Sequence, residues 1–214
     1  PPVRESGDLS AGFFDLKGKM LAQAVTGTPG HVNCMAASVV HFFEEFPVAS
    51  MKEGDSYITN DPWLGSGHLN DVTIVTPAFF RGRIVGLFAA TVHIVDLGGR
   101  GMGPDGNDVF EEGISIPHMA IAHEGVVNRD LIRLMRSNSR EPLQTEGDIL
   151  AILAAGEEGA RRLSEMLEEF DLDGMTDVGT YILGTTLSAM DKAIRDVPEG
   201  TYNHRMSTDG YDTA

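Results

Sequence analysis

Apolar and polar positions follow different periods in different parts of this chain. Two apolar stretches, Ala11–Leu16 and Lys19–Ala24, flank a turn-forming step that contains Gly18, and together they predict a β-hairpin. Residues Met35–Phe46 then place apolar side chains at helical spacing in front of Pro47, which predicts an amphipathic helix. The amino-terminal part therefore predicts a hairpin followed by a helix.

Runs rich in β-branched and aromatic residues follow this helix. Ser56–Thr59 predicts a short strand, after which turn-forming residues and a glycine-rich segment lead to His68. Val72–Phe79 and Ile84–Ile94 are separated only by Arg81–Arg83, a short connection with glycine at its centre. This arrangement predicts a second antiparallel hairpin.

The period changes after a glycine-rich loop at Gly98–Asn107, which is too long to be a simple connector. From Arg129 onward the spacing is helical, and it continues through Ile149–Phe170 and Tyr181–Ile194, so three helices are predicted. Thr201–Tyr211 begins to resemble another strand. We therefore predict an α+β fold, in which a mixed or antiparallel sheet layer with hairpins carries the candidate functional residues and is followed by a helical segment.

The same change of period predicts how the chain is divided. We expect a β-rich domain at residues 1–128, a helical segment at 129–200 and the start of a further strand region at 201–214. The sequence opens with Pro1-Pro2-Val3 and has no initiator methionine, and its last predicted strand has no continuation. We therefore expect this sequence to be a fragment of a longer protein.

Charge and cysteine content narrow the function. Acidic residues outnumber basic ones 32 to 16, and a net charge of −16 argues against nucleic acid or anionic membrane surfaces as partners. The sequence contains neither an apolar run of membrane-spanning length nor an export signal, so we expect a cytoplasmic protein. Cys34 is the single cysteine, which excludes an internal disulfide and a zinc ribbon. Any bound metal must therefore be held by histidines and carboxylates.

Residues suited to metal binding flank the second hairpin. If Arg81–Arg83 form its loop, Asp71 lies opposite His93, with Cβ atoms about 5 Å apart. The turn after Gly67 then needs only to fold His68 over the same face. Two imidazoles and one carboxylate leave open positions on a first-row metal, as a catalytic site requires. The alternative is a His-x-x-Asp pair that occurs by chance.

Several motifs occur in a fixed order along the chain. They are Asn60-Asp61-Pro62, Gly65, His68-Leu69-x-Asp71-Val72-Thr73, His93-x-x-Asp96-x-Gly98-Gly99 and Glu111-Glu112-Gly113-Ile114-x-Ile116-Pro117. Further ones are Arg4-Glu5-x-x-Asp8-x-Ser10, Ala22-Gln23-Ala24, His31-x-x-x-Met35 and Gly147-Asp148-x-x-Ala151. Together they resemble the hydantoinase B family over nearly the whole chain. That family includes N-methylhydantoinase and oxoprolinase B-type subunits, caprolactamase-type lactam hydrolases and the large subunits of acetone and acetophenone carboxylases.

The resemblance implies a divalent metal, zinc, manganese or iron, bound by His68, Asp71 and His93, with Asp8 as the candidate fourth ligand. It also implies a hydantoinase A-type partner subunit that uses ATP, so that this chain completes the hydrolysis of a small cyclic amide such as a hydantoin, oxoproline or lactam. One alternative is the large subunit of an ATP-dependent ketone carboxylase. A non-catalytic assembly module is the other.

Three further residues are catalytic candidates. Asp96 is a candidate acceptor that orients a metal-bound imidazole, although a turn role beside Gly98 fits equally well. Glu112 is the candidate general base, and its alternative is a solvated surface charge. His31 is a candidate site residue or a helix cap. Asp8 has a similar alternative as a turn-closing residue before the first strand.

The chain departs from the family pattern at two places. Ala151-Ile152 stands where relatives carry Ala-Gln, and Asn33 stands where a small glycine is common. The first departure removes an amide that supports the site or a subunit contact. The substrate class is therefore open, whereas the metal residues are retained.

Overall fold

The computed structural model describes residues 7–25, 27–65, 67–101, 103 and 105–206. These residues form one seven-stranded sheet and four α-helices. The strands are β1 (Leu9–Phe14), β2 (Met20–Gln23), β3 (Ser56–Thr59), β4 (Asp71–Phe80), β5 (Arg83–His93), β6 (Met119–His123) and β7 (Val126–Val127). The helices are α1 (Pro29–Glu45), α2 (Arg129–Asn138), α3 (Pro142–Glu169) and α4 (Thr176–Arg195). The strand order is β2-β1-β5-β4-β3-β6-β7, and every neighbouring pair is antiparallel, which confirms the predicted α+β class.

Both predicted hairpins are present, but the second has a shorter turn than predicted. β4 ends at Phe80 and β5 begins at Arg83, so the turn consists of Arg81 and Gly82 alone. These two residues have φ values of 50° and 74°, the combination that a tight type I′ turn requires. The predicted three-residue loop Arg81–Arg83 is therefore wrong by one residue.

A β-bulge compensates for the shorter turn. Ala78 pairs with Gly86, whereas Phe79 pairs with Ile84, so one extra residue lies on β5. Unbroken pairing from a two-residue turn would set Asp71 opposite Val92 and direct the two site side chains to opposite faces. Because of the bulge, Asp71 pairs with His93, and the predicted partnership is confirmed.

The two faces of the sheet are covered by different helices. Val75 points to the face on which it packs with Met35 and other apolar residues of α1. Ile74 points to the opposite face, where it packs with Leu131 of α2 and Leu153 of α3. The sheet therefore lies between α1 and the later helices, and the site lies on the face of α1.

Three helices begin earlier than their apolar periodicity predicts, and one of them is α4, which begins at Thr176 instead of Tyr181. α1 begins at Pro29 instead of Met35. The apolar pattern misses this first turn because its inward position is occupied by a polar residue, His31, which is nevertheless buried. α3 begins at Pro142, well before the apolar pattern that starts at Ile149. Proline fits the first helical turn because no hydrogen bond to its nitrogen is needed there. Apolar periodicity alone thus misses a first turn that carries polar side chains.

The last helix of the described chain is only partly covered by the sheet. The first turns of α4 pack against the sheet through Val178 and Ile182, and the helix is exposed beyond Leu183. Charged residues such as Asp191 and Lys192 interrupt its apolar positions. No helix in the described part of the chain is long and apolar enough to cross a membrane.

The carboxyl-terminal strand prediction receives no support where it can be checked. Residues 201–206 are exposed, carry no regular secondary structure and pair with no strand of the described sheet. The remaining residues of Thr201–Tyr211 lie outside the described ranges. The division of the chain into domains at residues 128 and 200 stays a prediction.

Candidate metal centre

The β4–β5 hairpin brings together the first two candidate ligands. Asp71 is the first residue of β4 and His93 is the last residue of β5, and the two are direct cross-strand partners. His93 Nδ1 lies 3.1 Å from Asp71 Oδ1. On the other side, the His93 backbone N–H donates to the carbonyl of Asp8 at 3.2 Å. The end of β5 is therefore held between two acidic residues.

A tight turn brings in the third candidate ligand. Gly67 has a φ of 103°, a conformation that favours glycine, and it precedes His68 directly. The backbone N–H of Asp71 donates to the His68 carbonyl at 3.4 Å, and His68 Nε2 lies 3.1 Å from Asp71 Oδ2. The rings of His68 and His93 have centroids 5.2 Å apart. The turn thus folds His68 over the same face, as predicted.

His68, Asp71 and His93 form what we call the ligand cluster. One ligand atom from each residue lies within 4.8 Å of the others, a spacing at which a single cation can reach all three. Imidazole nitrogen and carboxylate oxygen suit zinc, manganese and iron, and three protein ligands leave positions open for substrate or water. The donor set therefore fits the kind of metal that the resemblance implies.

His31 and Asp8 complete the surroundings of the ligand cluster. His31 projects from the first turn of α1, and its Nε2 lies 2.9 Å from Asp71 Oδ2 and 3.6 Å from Asp8 Oδ1. Asp8 Oδ1 also accepts a hydrogen bond from the Thr28 hydroxyl at 2.8 Å. Both residues that the sequence assigned to the site are thus beside the cluster. The contact with Thr28 joins segments 20 residues apart, so it is not the local turn-closing contact considered as the alternative for Asp8.

The Asp71 carboxylate is the electrostatic centre of this arrangement. Its side chain is only 1% exposed. Burial by itself opposes ionisation, but hydrogen bonds from His68 and His93 outweigh it and hold the pKa of Asp71 well below its usual range. The hydrogen bond to Asp71 in turn raises the pKa of His68. The result is a buried anion surrounded by three imidazoles.

Two imidazole nitrogens in this region have unused hydrogen-bonding capacity. Nδ1 of His31 and Nδ1 of His68 are buried and have no hydrogen-bond partner among the described residues. Buried polar groups are almost always paired, so exceptions call for an explanation and occur at functional sites. Both rings turn Nε2 to the Asp71 carboxylate, so the unpaired Nδ1 atom lies on the other side of each ring.

The two neighbouring glutamates face different surroundings. Glu112 Oε2 accepts a hydrogen bond from the backbone N–H of Leu69 at 3.1 Å, and its charge contributes to the raised pKa of His68. Glu111 is instead bound by Asn107 and Arg100, which lower its pKa to about 2. Only Glu112 of this pair therefore reaches the segment that carries the ligand cluster.

Asp96 lies in different surroundings from the other candidates. Its carboxylate forms an ion pair with the Arg140 guanidinium at 2.5 Å and accepts hydrogen bonds from the backbone of Arg140 and from Gly98 N–H. The Ser139 hydroxyl is a further donor. Among the described residues its hydrogen bonds reach no histidine. These contacts match the turn role and give no support to the orientation of a metal-bound imidazole.

Asn60 is a positioning residue that sequence reasoning placed in a family motif but gave no role in the site. Its side-chain amide donates to the carbonyls of Leu69 and Ile114 at 2.8 and 2.9 Å, and its Oδ1 accepts from the Ile116 N–H at 2.6 Å. It therefore joins the segment of the ligand cluster to the chain that follows Glu112. The Asn60-Asp61-Pro62 motif marked this position, but nothing in it indicated contacts with carbonyls 9 and 54 residues away.

A row of buried hydroxyls also escaped sequence reasoning. Thr59, Thr73, Thr91 and Ser10 are consecutive cross-strand partners on β3, β4, β5 and β1, and each is at most 2% exposed. The Thr73 and Thr91 hydroxyls are 2.8 Å apart. The row lies between the ligand cluster and the apolar core under α1. A polar residue at every second position near the strand ends was the available signal.

The fold and the ligand cluster define a class of protein: an antiparallel sheet with helices on both faces and a candidate metal centre at the strand ends. The hydantoinase B/oxoprolinase family matches residues 1–213. The chain belongs to this family, and the resemblance seen in its motifs is confirmed.

Individual relatives agree with this assignment. The B-type subunit of a putative D-/L-hydantoinase from Pseudomonas sp. strain NS671 is 27% identical over 98% of this chain, which spans 36% of that protein. The crystal structure of the ATP-dependent caprolactamase from Pseudomonas jessenii superposes with a TM-score of 0.77 and 28% identity, over 90% of this chain and 34% of its own. A nucleotide-free acetone carboxylase shares the fold, with a TM-score of 0.71 and 22% identity over 85% of this chain and 24% of its own. This chain thus spans about a third of the length of the hydantoinase and caprolactamase relatives.

Proposed function

We propose that this chain is the metal-binding part of a B-type subunit in an ATP-dependent hydrolase of cyclic amides. The observation that carries the proposal is the ligand cluster, in which two imidazoles and a buried carboxylate converge at the strand ends of a hydantoinase B/oxoprolinase fold. The names of its relatives, a B-type hydantoinase chain and an ATP-dependent caprolactamase, support the same reaction class. An A-type partner subunit uses the ATP.

His68, Asp71 and His93 hold a divalent metal, which we expect to be zinc, manganese or iron, and Asp8 is the fourth candidate ligand. When bound, such a metal polarises a carbonyl or lowers the pKa of a bound water. Asp8 is well placed as a fourth ligand because its carboxylate oxygens lie 3.6 Å from His31 Nε2 and 3.9 Å from His93 Nδ1.

Residues around the ligand cluster orient the ligands and provide the candidate general base. His31 Nε2 lies 2.9 Å from Asp71 Oδ2, and this contact restricts rotation of that carboxylate. Glu112 holds the backbone next to His68 through the Leu69 N–H and is our candidate general base. The row of buried hydroxyls excludes bulky side chains beneath the cluster and keeps its floor polar.

The proposal is tested with the complete complex. The B-type chain and its A-type partner, supplied with ATP and zinc or manganese, are assayed for opening of a hydantoin, 5-oxoproline and a lactam. We expect turnover of at least one of these compounds and stoichiometric metal in the B-type chain. His93→Ala should remove both, whereas His204→Ala, which changes an exposed histidine of the carboxyl-terminal segment, should remove neither.

The outcomes separate the alternatives. No ring opening with any of the three classes of compound, together with bicarbonate-dependent consumption of a ketone, replaces hydrolysis by carboxylation. The chain is an assembly module if two results are found together. It remains without stoichiometric metal after supplementation, and its His93→Ala variant supports full activity of the complex. Either result rejects the proposed function.

A further inference from the structure

A recess between two exposed aromatic side chains lies next to the segment of the ligand cluster. Trp63 and Phe110 are 75% and 80% exposed, although large aromatic side chains are normally covered. Together with Leu69 and Val109 they line a concavity of about 300 Å³, which we call the aromatic recess. Its volume lies at the lower end of the range for sites that bind small organic molecules.

The backbone on both sides of the aromatic recess is held by side-chain hydrogen bonds. Asp61 Oδ1 accepts from the N–H groups of Trp63 and Leu64 at 2.8 and 3.0 Å. Asp108 Oδ1 accepts from the Phe110 N–H at 2.9 Å, at the start of a short 3₁₀ turn. The two aromatic residues therefore project from fixed turns, although their side chains contact little else.

The aromatic recess is also joined to the ligand cluster by short contacts. Leu69 lines the recess and directly follows His68. Its carbonyl accepts from the Asn60 amide at 2.8 Å, and its N–H donates to Glu112 at 3.1 Å. Residues on both sides of the recess thus fix the same backbone that positions the cluster. Leu69 therefore belongs to both: its side chain lines the recess, and its backbone directly follows His68.

The chemistry of the walls selects the kind of ligand. Trp63, Phe110 and their aliphatic neighbours present mainly apolar surface. Asp61 lies at the wall, Glu112 lies nearby, and the chain has a net charge of −16, so an anionic group is repelled. The recess therefore suits a neutral apolar ring better than a phosphate or a carboxylate.

We propose that the aromatic recess binds the apolar ring of a neutral cyclic amide and that Trp63 and Phe110 determine which ring sizes are accepted. This inference rests on the proposed function, because it takes the amide group of the same compound to the ligand cluster. It adds a specificity site that lies outside the metal ligands.

Trp63 provides a direct readout because it is the only tryptophan in the chain. The whole chain, without ATP and without the partner subunit, is titrated with unsubstituted lactams of five-, six- and seven-membered rings while its tryptophan fluorescence is recorded. We expect a saturable change for each lactam. The dissociation constant should fall about four-fold for each added methylene, the ratio that corresponds to ~0.8 kcal/mol for one buried CH₂.

Two phenylalanine variants provide the test and its matched control. Phe110→Ala should weaken the seven-membered lactam at least ten-fold and abolish the dependence on ring size. Phe170→Ala removes a side chain of the same kind, 64% exposed at the end of α3, and should leave both unchanged. Circular dichroism of both variants checks that the fold is retained.

The outcomes distinguish this inference from the proposed function. Fluorescence that does not respond to lactams, or that responds equally in Phe110→Ala, overturns the recess and leaves the hydrolase assay unaffected. Saturable, ring-size-dependent binding with no turnover by the complete complex rejects the hydrolase and keeps the recess. If Phe110→Ala weakens only the association with the A-type partner, the surface is a protein interface and the inference is wrong.

Discussion

Asp71 and Asp96 are two buried carboxylates with opposite surroundings. They are 2% and 8% exposed, and each follows a histidine of the candidate site by three residues, His68 and His93 respectively. Asp71 faces three imidazoles, whereas Asp96 faces the guanidinium and backbone N–H of Arg140. Equivalent motif positions have therefore produced two different kinds of site.

The identity of the partner decides what each carboxylate can do. An imidazole releases its proton near neutral pH and can then bind a metal, whereas a guanidinium stays charged and has no lone pair to offer. The imidazoles around Asp71 can thus exchange a proton for a metal ion. Asp96 is a permanent link between the loop after β5 and the α2–α3 connection.

The largest test of this comparison is the removal of each negative charge. Asp71→Asn keeps the size of the side chain but removes the anion among the imidazoles, so we expect the chain to lose its stoichiometric metal and the complex to lose its activity. Asp96→Asn should retain the metal. Elemental analysis of the purified proteins measures both. Equal metal content in the two variants contradicts the distinction.

A smaller effect is expected from the residue that restrains Asp71. His31→Ala leaves the ligand cluster intact but removes the 2.9 Å contact to Asp71 Oδ2. Loss of such an outer partner typically lowers metal affinity 10- to 100-fold. Competition with a chelator measures the change. His41→Ala, on the same helix, is the matched control, and a comparable loss there means that the helix as a whole is responsible.

Asp96 should instead report on stability. Arg140→Ala leaves a buried carboxylate without its charged donor, and we expect a loss of about 1.5–3 kcal/mol in the free energy of unfolding, measured with urea, at unchanged metal content. Arg133→Ala breaks an ion pair in which both side chains are more than 80% exposed, and it should change stability by less than about 0.5 kcal/mol. Similar losses in both variants contradict the structural role of Asp96.

The smallest expected effect is in acid. The hydrogen bond from Arg140 lowers the pKa of Asp96 to about 2, below its ordinary value of 3.8. A carboxyl whose pKa is lowered by folding stabilises the folded chain at pH values above its pKa in the unfolded chain. This stabilisation is lost as the pH falls from about 4 to 2. Because Arg140 is 63% exposed and screened by solvent, we expect this pH-dependent part to be smaller than the whole loss caused by Arg140→Ala. Urea unfolding at several pH values should show a shallower acid loss in Arg140→Ala, and parallel curves reject the assignment.

Sequence reasoning recovered the elements whose side chains have a regular period. β3 was predicted at its observed bounds, and the apolar runs on both sides of Arg81–Gly82 became β4 and β5. Helix α1 was predicted only from Met35, because a buried polar residue, His31, occupies the inward position of its first turn. Periodicity of apolar residues cannot detect a turn whose buried side chain is polar.

The register of the hairpin shows the limit more clearly. The turn is one residue shorter than predicted, which alone would have separated Asp71 from His93. The bulge on β5, opposite Ala78 and Phe79, restores the pairing. The prediction was thus correct for the pair and wrong for the loop. Bulges depend on the packing of the whole sheet and leave little trace in a single sequence.

The sequence by itself determined the family, the antiparallel hairpins and the three residues of the ligand cluster, because these depend on residue identity and on spacing along one hairpin. Tertiary structure alone decided which further carboxylates join them. Glu112 reaches the cluster segment, whereas Asp96 turns to Arg140, a residue 44 positions away in the sequence. Contacts between distant segments form only when the sheet and helices pack, and local patterns do not contain that information.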